Sequence, residues 1–228
     1  MRISAKQLGE LALLDFCPRC FWIKMKMGFK LPFQIFPGIF SSIDSYSKKI
    51  SHSYFDKHGR LPDWLGVTGK PIKVPPYSKF QTYIRDYDIL FTGVPDEIIQ
   101  LVDGSYFIID YKTAKYTGTQ DHLIPMYEIQ LNGYAFIAEQ IGISPVSGLS
   151  LLYYEPATNI ESSSIDLYIL DSGFSMEFFG KVINIELDPT RVIDLLQKAK
   201  ALYDSESSPL GRDDCESCNL IDNLSLII

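Results

Sequence analysis

Cysteine occurs in this chain only as two close pairs at opposite ends, Cys17-Pro-Arg-Cys20 and Cys215-Glu-Ser-Cys218. Scattered cysteines rarely pair in this way. Where thiols are kept reduced, two CxxC elements nearly two hundred residues apart suggest four thiolates converging on one metal centre. Such a centre obliges the early and late segments to meet, whatever lies between them. Zinc and a 4Fe–4S cluster both accept four cysteines, and the spacing alone does not choose between them. Buried or redox-active thiols are the other reading of the same residues.

The chain of 228 residues, 46% hydrophobic and 21% charged, is long enough to bury one sizeable core. Its apolar runs are short and interrupted by charges, and its opening stretch, MRISAKQLGELALLDF, lacks the unbroken apolar centre of a signal peptide. The expectation is a cytoplasmic protein with no membrane span. A formal charge of −7 argues against a protein coated in nucleic acid, because phosphate binding rewards Lys and Arg. It leaves room for a local basic groove, and Lys24, Lys26, Lys30, Lys48 and Lys49 are concentrated early in the chain. Phe21, Trp22, Phe29, Phe33 and Phe36 beside them are either a core stripe or a platform for stacked bases.

Ser4, with Gln7 three residues later, opens a helix through Leu8, Leu11, Leu14 and Phe16, and the first cysteine pair lies at or just past its end. Ile43, Tyr46, Ile50 and Tyr54 repeat at helical spacing, predicting a helix over 41–58 that carries Asp44 near its first turn. The Pro- and Gly-rich stretch 59–79 reads as a loop or covering flap. From Thr82 the pattern is that of strands: YIRDYDILFTGV, then EIIQLV and YFIIDYKTA joined by an Asp103-Gly104 turn that signals a hairpin. A helix over 122–141 stops at Gly142, three strands follow (LSLLYYEP, SSIDLYIL and EFFGKVINIEL), and a last helix spans 189–204. Strands and helices in this order make a mixed α/β domain.

The hairpin holds the chemistry. Asp96 and Asp110 stand at neighbouring strand ends, where two carboxylates can grip Mg2+ or Mn2+, and Lys112 leaves the same strand face as Asp110. An ion pair between Lys112 and a neighbouring acid in a structural hairpin is the plainer alternative. Glu97 points to the opposite face from Asp96 in a regular strand. Gln130 and Tyr134 lie one turn apart on the following helix and can reach the hairpin together, although packing of Tyr134 into the core explains them equally. The chain has no Gly-rich phosphate loop, nucleophilic Ser–His arrangement or HExxH motif.

Asp96, Asp110-Tyr111-Lys112 and Gln130-Leu-Asn-Gly-Tyr134, in this order between the cysteine pairs, resemble the PD-(D/E)XK nuclease superfamily, specifically its RecB-like branch with the QxxxY helix motif. The cysteines resemble those of its iron–sulfur members, the CRISPR-associated exonuclease and AddB-type nuclease domains. The resemblance implies a restriction-endonuclease-like core, a mixed central sheet flanked by helices, with the termini joined by a four-cysteine metal site. Residues 1–228 would then be one nuclease domain, with 1–37 and 205–228 forming the cysteine-ligated subregion. It implies a divalent-metal-dependent deoxyribonuclease, an exonuclease acting on single-stranded DNA or DNA ends, working with protein partners of a repair, recombination or CRISPR adaptation assembly. The alternative is a catalytically inactive relative that binds nucleic acid or a partner protein. Asp96, Asp110 and the Tyr111 carbonyl would hold Mg2+ or Mn2+; Lys112, Gln130 and Tyr134 would complete the catalytic set; Cys17, Cys20, Cys215 and Cys218 would hold a 4Fe–4S cluster or, alternatively, Zn2+. Two departures stand out. Relatives usually place one cysteine early and three late, whereas this chain splits them evenly, which adds weight to zinc. Relatives also carry a histidine where Ser42 follows Gly38, and Asp44 is the residue expected to replace it as a third metal ligand, with His52, two helical turns further on, as the alternative; Asp44 could instead complement the helix dipole.

Overall fold

A computed structural model of the chain describes residues 1–29, 38–117 and 122–226. Lys30, Phe33 and Phe36 lie outside the described residues, with the rest of 30–37.

Strand β1 (Arg2–Ser4) runs straight into helix α1 (Ala5–Gly9). The turn between them is closed by the expected reciprocal cap, in which the Gln7 N–H donates to Ser4 Oγ at 3.2 Å and the Ser4 N–H donates to Gln7 Oε1 at 2.8 Å. The helix is shorter than its apolar periodicity suggests. It passes into a 3-10 turn over Glu10–Ala12, which leaves Leu14 90% exposed. Helix α2 (Pro18–Lys26) then starts between the first two cysteines, with Pro18 at a position where a missing N–H costs nothing. Helix α3 (Gly38–His58) covers the predicted second helix and begins three residues earlier, so Asp44 sits in its second turn.

The predicted loop over 59–79 holds more structure than its prolines and glycines announced. Leu61 and Leu65 are buried, and β2 (Lys70–Ile72) adds an edge strand to the main sheet. Strands β3 (Gln81–Ile84) and β4 (Ile89–Thr92) form a small sheet with β1, and β5 (Glu97–Gln100) pairs antiparallel with β6 (Tyr106–Lys112). The expected Asp-Gly turn joins them, with Gly104 at φ 87° and the Ser105 N–H donating to Asp103 Oδ1 at 2.9 Å. Helix α4 (Ile124–Gln140) returns the chain so that β7 (Val146–Pro156) lies parallel to β6.

SSIDLYIL is not a strand. It follows the single turn α5 (Ile160–Ser163), which takes only its first residue, and forms a 3-10 turn over Asp166–Tyr168 and the two-residue strand β8 (Ile169–Leu170), which meets β9 (Gly173–Phe174). Its alternating apolar residues have no layer to face: Leu167 is 80% exposed and Ile169 61%. Strand β10 (Phe178–Ile185), helix α6 (Thr190–Asp204) and helix α7 (Glu216–Ser225) complete the described chain.

The central sheet has the order β10-β7-β6-β5-β2, antiparallel except for the β6–β7 pair, and helices cover both faces. The mixed α/β architecture read from the sequence is thus the one observed. Alternation along β6 decides what each face holds. Ile108 joins the larger core under α1, α4 and α6, while Ile109 and Tyr111 join a smaller cluster with Leu61, Leu65, Leu152 and Tyr154 that Phe55 of α3 helps to cover. Helix α4 lies deep, touching α1 across two places where a side chain would intrude: a Cβ on Gly133 would sit 2.7 Å from that of Ala5, and one on Gly9 would sit 2.4 Å from the Met126 carbonyl oxygen. That close approach fixes where α4 presents its polar residues.

Among the described residues, no helix is long and apolar enough to cross a membrane.

Candidate active site

The first candidate centre lies where β5 and β6 part. Asp96 immediately precedes β5, and one of its carboxylate oxygens, Oδ2, accepts the Tyr111 N–H at 2.6 Å. Asp110, two residues inside the end of β6 and only 4% exposed, accepts from the Gln130 side-chain amide at 3.2 Å through Oδ1. Its other oxygen lies 2.6 Å from Lys112 Nζ. Gln130 also donates to the Tyr134 hydroxyl at 2.6 Å, and its own carbonyl oxygen lies 3.4 Å from Lys112 Nζ. Period two on β6 and one helical turn on α4 therefore bring Asp110, Lys112, Gln130 and Tyr134 into a single hydrogen-bonded group. Tyr127, one turn before the glutamine, presents its ring 3.9 Å from the Lys112 ammonium, a cation–π contact that orients the lysine. Tyr111 turns its side chain to the opposite face and contributes its N–H to Asp96.

Burial and the neighbouring Asp110 charge push the Asp96 carboxyl up to about 6, against the opposing pull of Lys48 and the Tyr111 N–H. Two carboxylates drawn from neighbouring strands, one half-buried and one buried, suit a cation between them. Burial and the Asp110 charge likewise hold the Tyr134 phenol well above its ordinary range, so it acts here as a neutral hydrogen-bonding group.

Helix α3 brings Lys48, read from the sequence only as one of the early lysines, against the carboxylates. Lys48 Nζ lies 2.6 Å from Asp96 Oδ1 and 3.1 Å from Asp44 Oδ2. Asp44 therefore stands one ammonium away from Asp96. Among the described residues, three ligand atoms of Asp44, Asp96 and Asp110 do not come together within 4.8 Å. One turn further on, His52 Nε2 lies 2.8 Å from Glu97 Oε1, on the opposite face of β5 as strand alternation requires. Glu97 also accepts from the Tyr111 hydroxyl at 3.4 Å. Lys48 stands four residues before His52, one helical turn away, and the sequence spacing does not show which carboxylate it meets. Three of the described early lysines have separate partners: Lys24 pairs with Glu10 at 2.8 Å, Lys26 donates to the Tyr203 carbonyl at 2.7 Å, and Lys48 meets the carboxylates of Asp44 and Asp96. Phe21 is buried and meets Phe16 and Phe29 edge-on, so this part of the aromatic stripe is core.

The second centre joins the chain's early and late segments. Cys17 and Cys215 immediately precede α2 and α7, and Cys20 and Cys218 lie in their first turns, so each CxxC spans a helix N-terminus. The four sulfurs all lie within 4.8 Å of one another, with Cys17–Cys218 and Cys20–Cys218 at 3.5 Å and Cys20–Cys215 at 3.6 Å. The Arg212 N–H points at Cys17 Sγ from 3.3 Å, and Gly211 leaves the space beside Cys218 that a Cβ, 2.9 Å from Sγ, would fill. Burial opposes the Cys17 thiolate, but the Arg212 and Cys20 backbone donors and the adjacent thiols outweigh it and bring Cys17 down to about 6. Arg19 and Asp222 bind α2 to α7 with two hydrogen bonds of 2.9 and 2.5 Å. Four clustered cysteines with backbone donors around them fit a metal ion or cluster.

No curated protein matches the chain. A solved structure described as "Crystal structure of SSO0001" aligns with a TM-score of 0.48 and 14% identity, over 91% of this chain and 78% of that one. A family model described as the PD-(D/E)XK nuclease superfamily matches residues 46–222, well over half of the sequence, and the chain belongs to that superfamily.

Proposed function

We propose that the protein is a divalent-metal-dependent deoxyribonuclease whose active site is the Asp96, Asp110, Lys112, Gln130 and Tyr134 group. The observation that carries this reading is the pairing of half-buried Asp96 with buried Asp110, each with one oxygen held by the chain and one facing a lysine. The superfamily consists mainly of nucleases that use divalent metals, and a nuclease domain implies a nucleic-acid substrate. Mg2+ or Mn2+ bound to these carboxylates supplies an acidified water and neutralises phosphoryl charge. Lys112, held by Asp110, Gln130 and the Tyr127 ring, is placed to stabilise charge on a phosphate oxygen or to orient the attacking water. Gln130 and Tyr134 keep Asp110 in one rotamer through hydrogen bonds that the deep seat of α4 makes rigid. The order of these residues supports the RecB-like branch with its QxxxY helix, and with it single-stranded DNA or DNA ends as substrate, exonuclease action, and repair or CRISPR adaptation as the setting.

Residues 1–228 would form one nuclease domain, with the parts of 1–37 and 205–228 around the cysteines as its metal-stapled subregion. Of the two cofactors considered for the cysteines, the sulfur spacing supports Zn2+. A single tetrahedral ion with bonds of about 2.3 Å holds its sulfurs about 3.8 Å apart, close to the separations of 3.5 and 3.6 Å here. A 4Fe–4S cluster gives each thiolate its own iron and spreads the sulfurs further.

The test is cleavage of end-labelled single-stranded DNA in Mn2+, with duplex DNA and RNA in parallel. Asp110→Asn and Lys112→Ala should each lower the rate at least about a hundredfold, the usual scale for losing one such group. Unchanged cleavage in either variant sinks the proposal. DNA binding without cleavage in any divalent metal would favour the inactive binding module, a reading that Ser42 at the position of the relatives' histidine supports.

A further inference from the structure

Two ammonium groups stand against the two candidate metal carboxylates, and only one of them belongs to the hairpin. Lys112 covers Asp110; Lys48, from α3, covers Asp96. Asp96 Oδ2 is committed to the Tyr111 N–H, so Oδ1 is the oxygen left for a metal, and it is the oxygen that Lys48 contacts at 2.6 Å. A divalent cation and an ammonium cannot both take that oxygen at contact distance without strong repulsion. Lys48 has a second carboxylate within reach. Asp44, one turn earlier on α3, already lies 3.1 Å from Nζ. It is more exposed than Asp96, with 39% of its side chain accessible against 18%.

We propose that Lys48 is a resident counter-ion of Asp96 that a divalent cation displaces, and that Asp44 receives the displaced ammonium. The inference rests on Asp96 and Asp110 being metal ligands. It assigns Lys48 and Asp44 as positioning residues that set metal affinity without touching the reacting atoms. With no metal bound, Lys48 keeps the buried Asp96 compensated; with metal bound, the Lys48–Asp44 pair sits beside the site, and the free energy of breaking the Asp96 contact is subtracted from the metal's binding.

Mn2+ binding to the full-length protein, measured by calorimetry and by the electron paramagnetic resonance of free Mn2+, tests this without reference to activity. Lys48→Met should bind Mn2+ about tenfold or more tightly, Lys48→Gln should follow it, and Lys48→Arg should stay near wild type. Asp44→Asn should weaken binding by about threefold, because the displaced ammonium loses its second partner. Equal or weaker binding in folded Lys48→Met and Lys48→Gln, with binding still lost in Asp110→Asn, overturns the role of Lys48 alone. Mn2+ binding absent from the wild type and from both Lys48 variants overturns it together with the metal-site reading. Binding that appears only in the Lys48 variants supports it.

Discussion

Asp96 carries an energetic cost that can be measured directly. Its carboxyl is raised to about 6 by burial and by Asp110, above the ordinary range it recovers on unfolding. A raised acid binds its proton more tightly in the folded state, so its contribution to stability is greatest below the unfolded value and falls as pH rises from about 4 to about 6. Metal-free protein should lose on the order of 3 kcal/mol from this group across that window. Asp96→Asn should remove that slope, and thermal melting of both proteins between pH 4 and 7 in chelator checks it. A steeper loss in the variant than in the wild type would contradict the assignment. Asp96, Asp110 and Lys112 were legible in the sequence because a strand's period of two and the Asp-Gly turn place them before any tertiary contact is known. Lys48 was not, because its partner depends on how α3 lies across the sheet, which no local pattern encodes.

At the scale of elements, α4 is the rigid arm of the site. Gly93, between β4 and β5, faces Tyr134 so closely that a Cβ there would lie 2.6 Å from the ring. Gly93→Ala should therefore push Tyr134 and strain its bond to Gln130, costing about 1–3 kcal/mol in denaturant midpoint, the scale of overpacking in a tight core. Wild-type stability in this variant would show that α4 can shift freely. Leu196, fully buried on α6, is an independent probe of the same layer: Leu196→Ala should cost about 2–5 kcal/mol while leaving the hydrogen bonds of the site in place. Helices α4 and α6 could be read from apolar periodicity because each buries a long stripe; α3 carries the same periodicity, yet its Ile43 and Tyr54 are only half-buried and its Tyr46 and Ile50 are exposed. Helices α2 and α7 could not, since each is short and begins at a cysteine whose partners lie far away in sequence. The strand expected in SSIDLYIL failed for the converse reason. Alternation signals a face to bury, and here the residues of that face remain in solvent.

For the whole molecule, the four-cysteine centre ties α2 to α7 and, through α6, to the core. Elemental analysis should find one zinc per chain. Its removal by a chelator, or Cys215→Ser, should lower the melting temperature and open the segment after Asp204 to protease while β5, β6 and α4 stay protected from hydrogen exchange. Iron in place of zinc, with a visible absorbance band, would reverse the metal assignment. A melting temperature unchanged by both treatments would deny the centre a structural role. That the two CxxC pairs meet was readable from the sequence; that they meet at paired helix N-termini, with Arg19 and Asp222 locking them, required the fold.

The separation of those pairs also sets an order in time. Cys17 and Cys20 leave the ribosome nearly two hundred residues before Cys215 and Cys218, a delay of roughly 10–40 s at ordinary rates of synthesis. During that interval the first pair waits as an exposed dithiol at the mouth of α2, while the strands and α4 already have what they need to assemble. Capture of a metal by all four thiols would therefore be a closing event, and a nascent chain arrested before Cys215 should display two accessible thiols beside a sheet that has already formed.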